Sequence, residues 1–260
     1  MARAWLVLAL LAAGVTTADA EGKSAPSTSK SSTSTKKTTE KKKTKKKAKP
    51  KKDRTSARLK EGSMRGVRGD NMPRGFTWPP SPQMLVAEKA CEARLDAAGV
   101  GWKPADRDGR MVDAITIEHM TLGGVSYVNA WGGKGPYKLD CQLAVALETI
   151  GTELYALGVR EVRFGSIYRW SKVRAYGKTK NILSRHALGL AMDVVSFIDE
   201  NGRAAVVKTD YAKDDALLLA IERTVNGSGR FRIVLTPKND PVSHSDHFHI
   251  EAASDFTATP

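Results

Sequence analysis

The sequence predicts an α+β domain over residues 83–260, and two observations carry that expectation. Short β-rich runs are joined in pairs by tight-turn signals, and the helical segments stand apart from them. Together these argue against a doubly wound parallel sheet and for a small antiparallel sheet with helices packed to one side. Gln83–Ala98 has helical composition and meets a stop signal at Gly99. Ala114–Ile117 and Val125–Val128 are β-rich. Asp140 stands where it would cap a second helix, whose Leu143, Leu147, Ile150, Leu154 and Leu157 form one apolar stripe before Gly158. Glu161–Ile167 and Ala191–Phe197 read as strands, and Asn201-Gly202 is a hairpin signal leading into Ala204–Val207. A third helix is expected within Asp214–Val225, ending at Asn226-Gly227. Phe231–Leu235 and Phe248–Ala252 supply the last two strands.

The chain carries 42 Lys+Arg against 28 Asp+Glu, a net charge of +14, which raises nucleic-acid binding as a first idea. Residues 21–75 hold 19 basic and 5 acidic side chains, whereas residues 76–260 hold 22 of each. The folded part therefore lacks the electrostatic footprint of a DNA-binding globule, and no specific nucleic-acid partner is expected. The excess sits in a stretch without Phe, Trp or Tyr, with nine Lys among the twelve residues Lys41–Lys52. Such a chain buries too little apolar surface to offset its ordering entropy. Residues 21–82 are thus expected to form a disordered Lys/Ser/Thr-rich tail and a Pro-containing linker. Through residues 21–75 this polycation would attract anionic envelope polymers, unless it is only a solvated tether. Ahead of it, Met1–Ala20 has a basic start, the apolar run Trp5–Val15 and an Ala18-Asp19-Ala20 end, the pattern of a cleavable signal peptide. The run is short for a bilayer span, and no later segment is apolar enough for one. The expected product is an exported monomer of the periplasm or the extracellular cell envelope.

Cys91 and Cys141 are the two cysteines. In an exported chain an isolated even pair is expected to form a disulfide, here joining the first helix to the start of the second.

The histidines carry the chemistry. Three of the five fall in Ser243-His244-Ser245-Asp246-His247-Phe248-His249. On a strand His247 and His249 face the same side, an arrangement suited to a metal, though a surface cluster would read the same way. Ser184-Arg185-His186-Ala187-Leu188-Gly189-Leu190-Ala191-Met192-Asp193 adds an imidazole and a carboxylate seven residues apart. Two neutral imidazoles and one carboxylate leave a fourth position open, which is the arrangement of catalytic zinc. His119 reads as structural. Trp131, Tyr168, Trp170 and Tyr176 are candidates for a groove lining.

Ser184-x-His186-x-x-Gly189-x-Ala191-x-Asp193 resembles the first metal motif of D-Ala-D-Ala carboxypeptidase-like zinc peptidases, and Asp246-His247-Phe248-His249 resembles the second half of that site. In this order, Cys91–Leu95, Gly165–Arg169, Ser184–Asp193 and His247–Glu251 resemble the bacterial extensin-like C-terminal domain family over roughly residues 84–252. Two departures stand out: Arg185 occupies a position where the family usually has Glu, and the family's additional cysteines are missing.

The resemblance implies the zinc D-Ala-D-Ala peptidase-like (Hedgehog/DD-peptidase) architecture, with Zn2+ held by His186, Asp193 and His249. It implies His247 as general base, with Asp246 as rival. On a regular strand Asp246 faces away from His249, which favours His247. Arg169 would steady a developing oxyanion, if it is not simply a surface arginine. His244 and Ser184 would stand behind the ligands. The implied activity is hydrolysis of an amide bond in peptidoglycan peptides, by a carboxypeptidase or an endopeptidase. The alternative is a non-catalytic envelope-binding module with a structural or vestigial metal site, tethered by its tail.

Overall fold

The computed structural model describes residues 71–175 and 177–257. Met1–Ala20, the tail as far as residue 70, and Tyr176 lie outside the described residues.

Helix α1 (Pro82–Ala97) starts at Ser81, whose side chain accepts from the Met84 backbone N–H, with Pro82 at the first helical position where its missing N–H costs nothing. Helix α2 (Cys141–Ala156) is capped by Asp140 as expected, its carboxylate accepting from Gln142 N at 3.0 Å. Leu143, Leu147, Ile150 and Leu154 are buried, whereas Leu157, expected in the same stripe, forms the helix cap and is 38% exposed. The short α3 (Val207–Asp210) precedes α4 (Ala216–Gly227), which is capped by Asp215 and includes the Asn226-Gly227 pair expected to end it. The Cys91–Cys141 disulfide ties α1 to the first residue of α2.

Among the described residues the strands form three sheets. A three-stranded one contains β1 (Trp102–Pro104), β2 (Ala114–Ile117) and β5 (Tyr137–Asp140). The largest has seven strands: β3 (Thr121–Leu122), β4 (Val125–Asn129), β6 (Val159–Ser166), β9 (Ala191–Asp199), β10 (Ala204–Val206), β11 (Phe231–Leu235) and β12 (Phe248–Ala252). A separate hairpin pairs β7 (Lys172–Ala175) with β8 (Lys178–Leu183). The α+β class holds, with sheets that are mainly antiparallel. The main sheet is larger than the small one expected, and β4 runs parallel to β6 because the chain returns through α2 between them. The β9–β10 hairpin turns at Asn201-Gly202, as its dipeptide signalled, with Gly202 at φ +79°.

Helices α2 and α4 cover one face of the main sheet. Leu147, Ile150 and Ile221 meet Val162, Val194, Phe248 and Ile250 there. Because side chains alternate along a strand, the residues between those, Asp193, His249 and Glu251, belong to the opposite face. That parity separates the greasy side of the sheet from the chemical one. Close packing on the helix side requires small residues: a side-chain carbon on Gly151 of α2 would collide with the Leu122 carbonyl.

Residues 71–81, placed in the linker by composition, lie against the domain. Asn71 is buried and donates to the Leu183 carbonyl, while Phe76 sits 6.3 Å from the Phe256 ring. Here local composition was overridden by contacts with sequence-distant partners.

Candidate metal centre

Three neighbouring strands place a row of polar side chains on the open face of the main sheet. The register pairs Ser166 of β6 with Asp193 of β9, and Asp193 with His249 of β12. Directly opposed residues of an antiparallel pair lie side by side, so strand pairing alone brings Asp193 and His249 together across 56 residues of sequence. A register slip of one residue would send them to opposite faces. His186 arrives from the 3-10 turn Arg185–Leu188, which Ser184 caps by accepting from His186 N at 3.3 Å.

Gly189 ends that turn at φ +67°, a conformation that suits glycine. A side-chain carbon at this position would stand 2.7 Å from Asp140 N, and Asp140 N donates to the Gly189 carbonyl at 3.1 Å. The motif glycine therefore serves both the local turn and its contact with the start of α2.

Three donor atoms converge. His186 Nε2 lies 3.0 Å from Asp193 Oδ1 and 3.2 Å from His249 Nδ1, and the last two are 2.8 Å apart. A tetrahedral ion with bonds of about 2.0–2.1 Å separates its ligand atoms by about 3.3 Å. The trio therefore fits such an ion after a shift of a few tenths of an ångström. His186, Asp193 and His249 are all buried.

Each ligand is also held from behind. His186 Nδ1 donates to the Ile167 carbonyl at 2.6 Å, which leaves Nε2 with its lone pair towards the other two. His249 Nε2 contacts Glu251 Oε1 at 3.0 Å, and Arg232 pairs with the other Glu251 oxygen at 2.5 Å. Ser166 Oγ donates to Asp193 Oδ2 at 2.8 Å, and Arg169 approaches the same oxygen at 3.2 Å. Ser166 and Glu251 were not singled out as site residues from sequence. Glu251 had a signal, since His247, His249 and Glu251 alternate on one strand face; Ser166 had none beyond its place in a recognised run.

The electrostatics favour positive charge at the centre. Burial pushes the Asp193 carboxyl up, but His186 and His249 outweigh it and hold the group well below the ordinary range. Burial lowers the His249 imidazole, yet hydrogen bonds to Asp193 and Glu251 win and lift it to about 9. Glu251 is likewise drawn down to about 2, against its burial, by His249 and Arg232. Burial keeps His186 below its ordinary value and therefore neutral, as a ligand requires.

His247 precedes β12 and points its Nε2 to within 3.5 Å of Asp193 Oδ1, beside the trio. Its Nδ1 lies 2.8 Å from Asp246 Oδ1. Asp246 is half-exposed and contacts the imidazole, not the ligand trio. The two rivals for the base thus form a pair, with carboxylate behind and imidazole in front. His244 contacts the His247 and His249 rings and bonds Asp240 at 2.9 Å. Burial and the neighbouring His249 push it down to about 4, so it is neutral. Of the five histidines only His119, exposed between β2 and β3, is outside this cluster. Arg185, the departure from the family pattern, is buried and donates to the Asn71 carbonyl and to Ser254 Oγ, and its charge helps to draw Glu251 down.

Two hollows meet at the site. One, of about 490 Å³, extends past His244 and His249 to Lys172 and Arg174 of β7. The other, of about 440 Å³, extends past Ser166 and Asp246 to Trp131. Arg169, Asp193 and His247 belong to both walls. Of the four aromatic candidates, Trp131 reaches a hollow. Trp170 instead covers Gly109 beside the Tyr168 hydroxyl.

Fold and site together define an α+β protein with a buried pocket of two imidazoles and one carboxylate, open to a surface groove. Residues 89–259 match the family described as extensin-like protein C-terminus, and the chain belongs to this family. No curated protein and no solved structure matches the chain.

Proposed function

We propose that this protein is an exported zinc-dependent hydrolase that cuts an amide bond in peptidoglycan peptides. The observation that carries the reading is the convergence of His186 Nε2, Asp193 Oδ1 and His249 Nδ1 within 3.2 Å, beside a groove and in reach of a carboxylate-backed imidazole. The same motif order supports kinship with zinc D-Ala-D-Ala peptidase-like architecture. A zinc ion at this position would supply Lewis-acid polarisation and a water acidic enough to ionise near neutral pH.

The chain's own residues divide the remaining work. Asp246 accepts the His247 Nδ1 proton, which fixes the tautomer and leaves Nε2 free to take a proton on the groove side. The same Nε2 returns that proton to the leaving amine. Arg169 is half-exposed, anchored through Asp193 Oδ2 and able to present its remaining N–H groups to a developing oxyanion. Ser166, Glu251 and the Ile167 carbonyl hold the ligands so that binding an ion needs little rearrangement. The lysine-rich residues 21–75 would hold the enzyme near anionic envelope polymer.

Metal analysis and mass spectrometry of muropeptides incubated with zinc-loaded protein test the reading together. One zinc per chain and a new amine terminus in the products are expected. Retention on insoluble peptidoglycan without any product would replace the hydrolase by a binding module.

A further inference from the structure

The domain balances its charges overall, yet β7, β8 and their flanks do not. Residues 169–185 contain Arg169, Lys172, Arg174, Lys178, Lys180 and Arg185 and no Asp or Glu. Elsewhere exposed cations are commonly paired, as in Arg160–Glu200 and Arg203–Asp215. Lys172, Arg174, Lys178 and Lys180 have no carboxylate partner among the described residues; the one polar bond of this set joins Lys172 to the neutral Asn181 side chain at 2.8 Å. Lys172 and Arg174 are two apart on β7, so they share a face, and both line the larger hollow beside His247 and His249.

The other cation of that hollow is already matched, since Arg232 is held by Glu251 and Asn71, and the Asp240 carboxylate is hydrogen-bonded to the neutral His244 ring. Among the basic side chains, the pair on β7 remains unmatched, and the half-exposed Arg169, paired with Asp193, lines the same hollow. Unpaired cations at the rim of a concave site attract and orient anionic groups.

Resting on the hydrolase reading, we propose that the β7–β8 hairpin is the specificity arm of this site and binds a carboxylate-bearing stretch of an extended substrate. The scissile bond then lies over Asp193 and His247, and the substrate continues on the other side into the hollow of Trp131. That indole is 76% exposed and offers a flat uncharged face. The occupant is a peptide with side-chain carboxylates on one side of the bond, and the site is open at both ends instead of closing on a chain terminus.

Calorimetry of the full chain with zinc tests this, using a blocked hexapeptide with two glutamates and its twin with two glutamines. At 0.15 M salt the glutamate peptide should bind about tenfold more tightly or better. Lys172→Glu with Arg174→Glu should remove that preference. Lys46→Glu with Lys47→Glu, an equal charge change in the tail, should weaken it less than about twofold if the hairpin and not general attraction is responsible. Lys172→Gln with Arg174→Gln provides the milder pair and should lose most of the preference while melting like the parent. Equal affinity for the two peptides, or equal losses from the hairpin and tail variants, would overturn the proposal. Turnover of muropeptides by a chain without the preference would remove the hairpin's role and leave the hydrolase standing. A hairpin-dependent preference without turnover would do the reverse.

Discussion

His186, Asp193 and His249 in one region, and Cys91, Asp113 and Cys141 in another, each bring three donor atoms within 4.8 Å. In the second region the two sulfurs are bonded to each other, so they are spent as ligands. The surrounding acids behave oppositely as well. Burial pushes Asp113 up to about 6 and Asp140 and Glu88 up to about 7, with Arg107 the main opposing charge on Glu88. Asp113 Oδ2 has no hydrogen-bond partner among the described residues. Around the histidines, Asp193 and Glu251 are buried too but are drawn down, because imidazoles and Arg232 face them. Burial is common to both regions, so the neighbours decide the sign. Proximity of donors does not separate the two regions; the oriented partners behind the donors do.

The strongest way to break this comparison is to remove a histidine ligand. His249→Ala should abolish zinc binding and lower amide hydrolysis by about a thousandfold or more, with the far-UV spectrum retained. Full activity in that variant would end the ligand assignment. Replacing both Cys91 and Cys141 with Ser should cost about 4 kcal/mol of stability for a loop of this length, read as a lower denaturation midpoint. Zinc stoichiometry at 25 °C should not change; its loss from the folded variant would show that the histidine site depends on the α1–α2 crosslink. A smaller effect is expected behind the ligand. Glu251→Gln keeps the shape but weakens the acceptor for His249, and zinc affinity should fall by about 10–100-fold in a competition titration.

The smallest effect concerns pH. A carboxyl raised on folding contributes stability fully below its unfolded value, here 4.5 for Glu88, and loses it as pH climbs through about 7. The melting temperature should therefore fall between pH 5 and 8. Glu88→Gln should flatten that fall by an amount on the order of 1–2 kcal/mol. An unchanged slope would show that Glu88 is ionised in the folded protein throughout that range.

Much of the site was legible as motif, and much of its geometry was not. His186, Asp193 and His249 stood out because three of the five histidines fall within six residues and the Ser184–Asp193 run resembles a family motif. Their meeting depends on β9 pairing with β12, a contact between distant segments that local sequence does not specify. The main helices and seven of the strands followed from capping and apolar patterning. β7 and β8 were missed because Lys172–Ala175 alternates over only four residues and Lys178–Asn181 holds no apolar residue. The ordered stretch 71–81 escaped for a similar reason: its partners, Leu183, Arg185 and Phe256, are far along the chain. The family and the disulfide were both read from sequence and both hold.

Gly189 gives the two regions a shared bearing with no clearance. On one side it closes the turn that aims His186; on the other, nothing larger than hydrogen fits against the backbone of Asp140, next to the disulfide. Chemically the regions are separate, but the start of α2 and the turn that carries His186 share this one backbone contact. A substitution that shifted the start of α2 would therefore shift the turn that aims His186 as well.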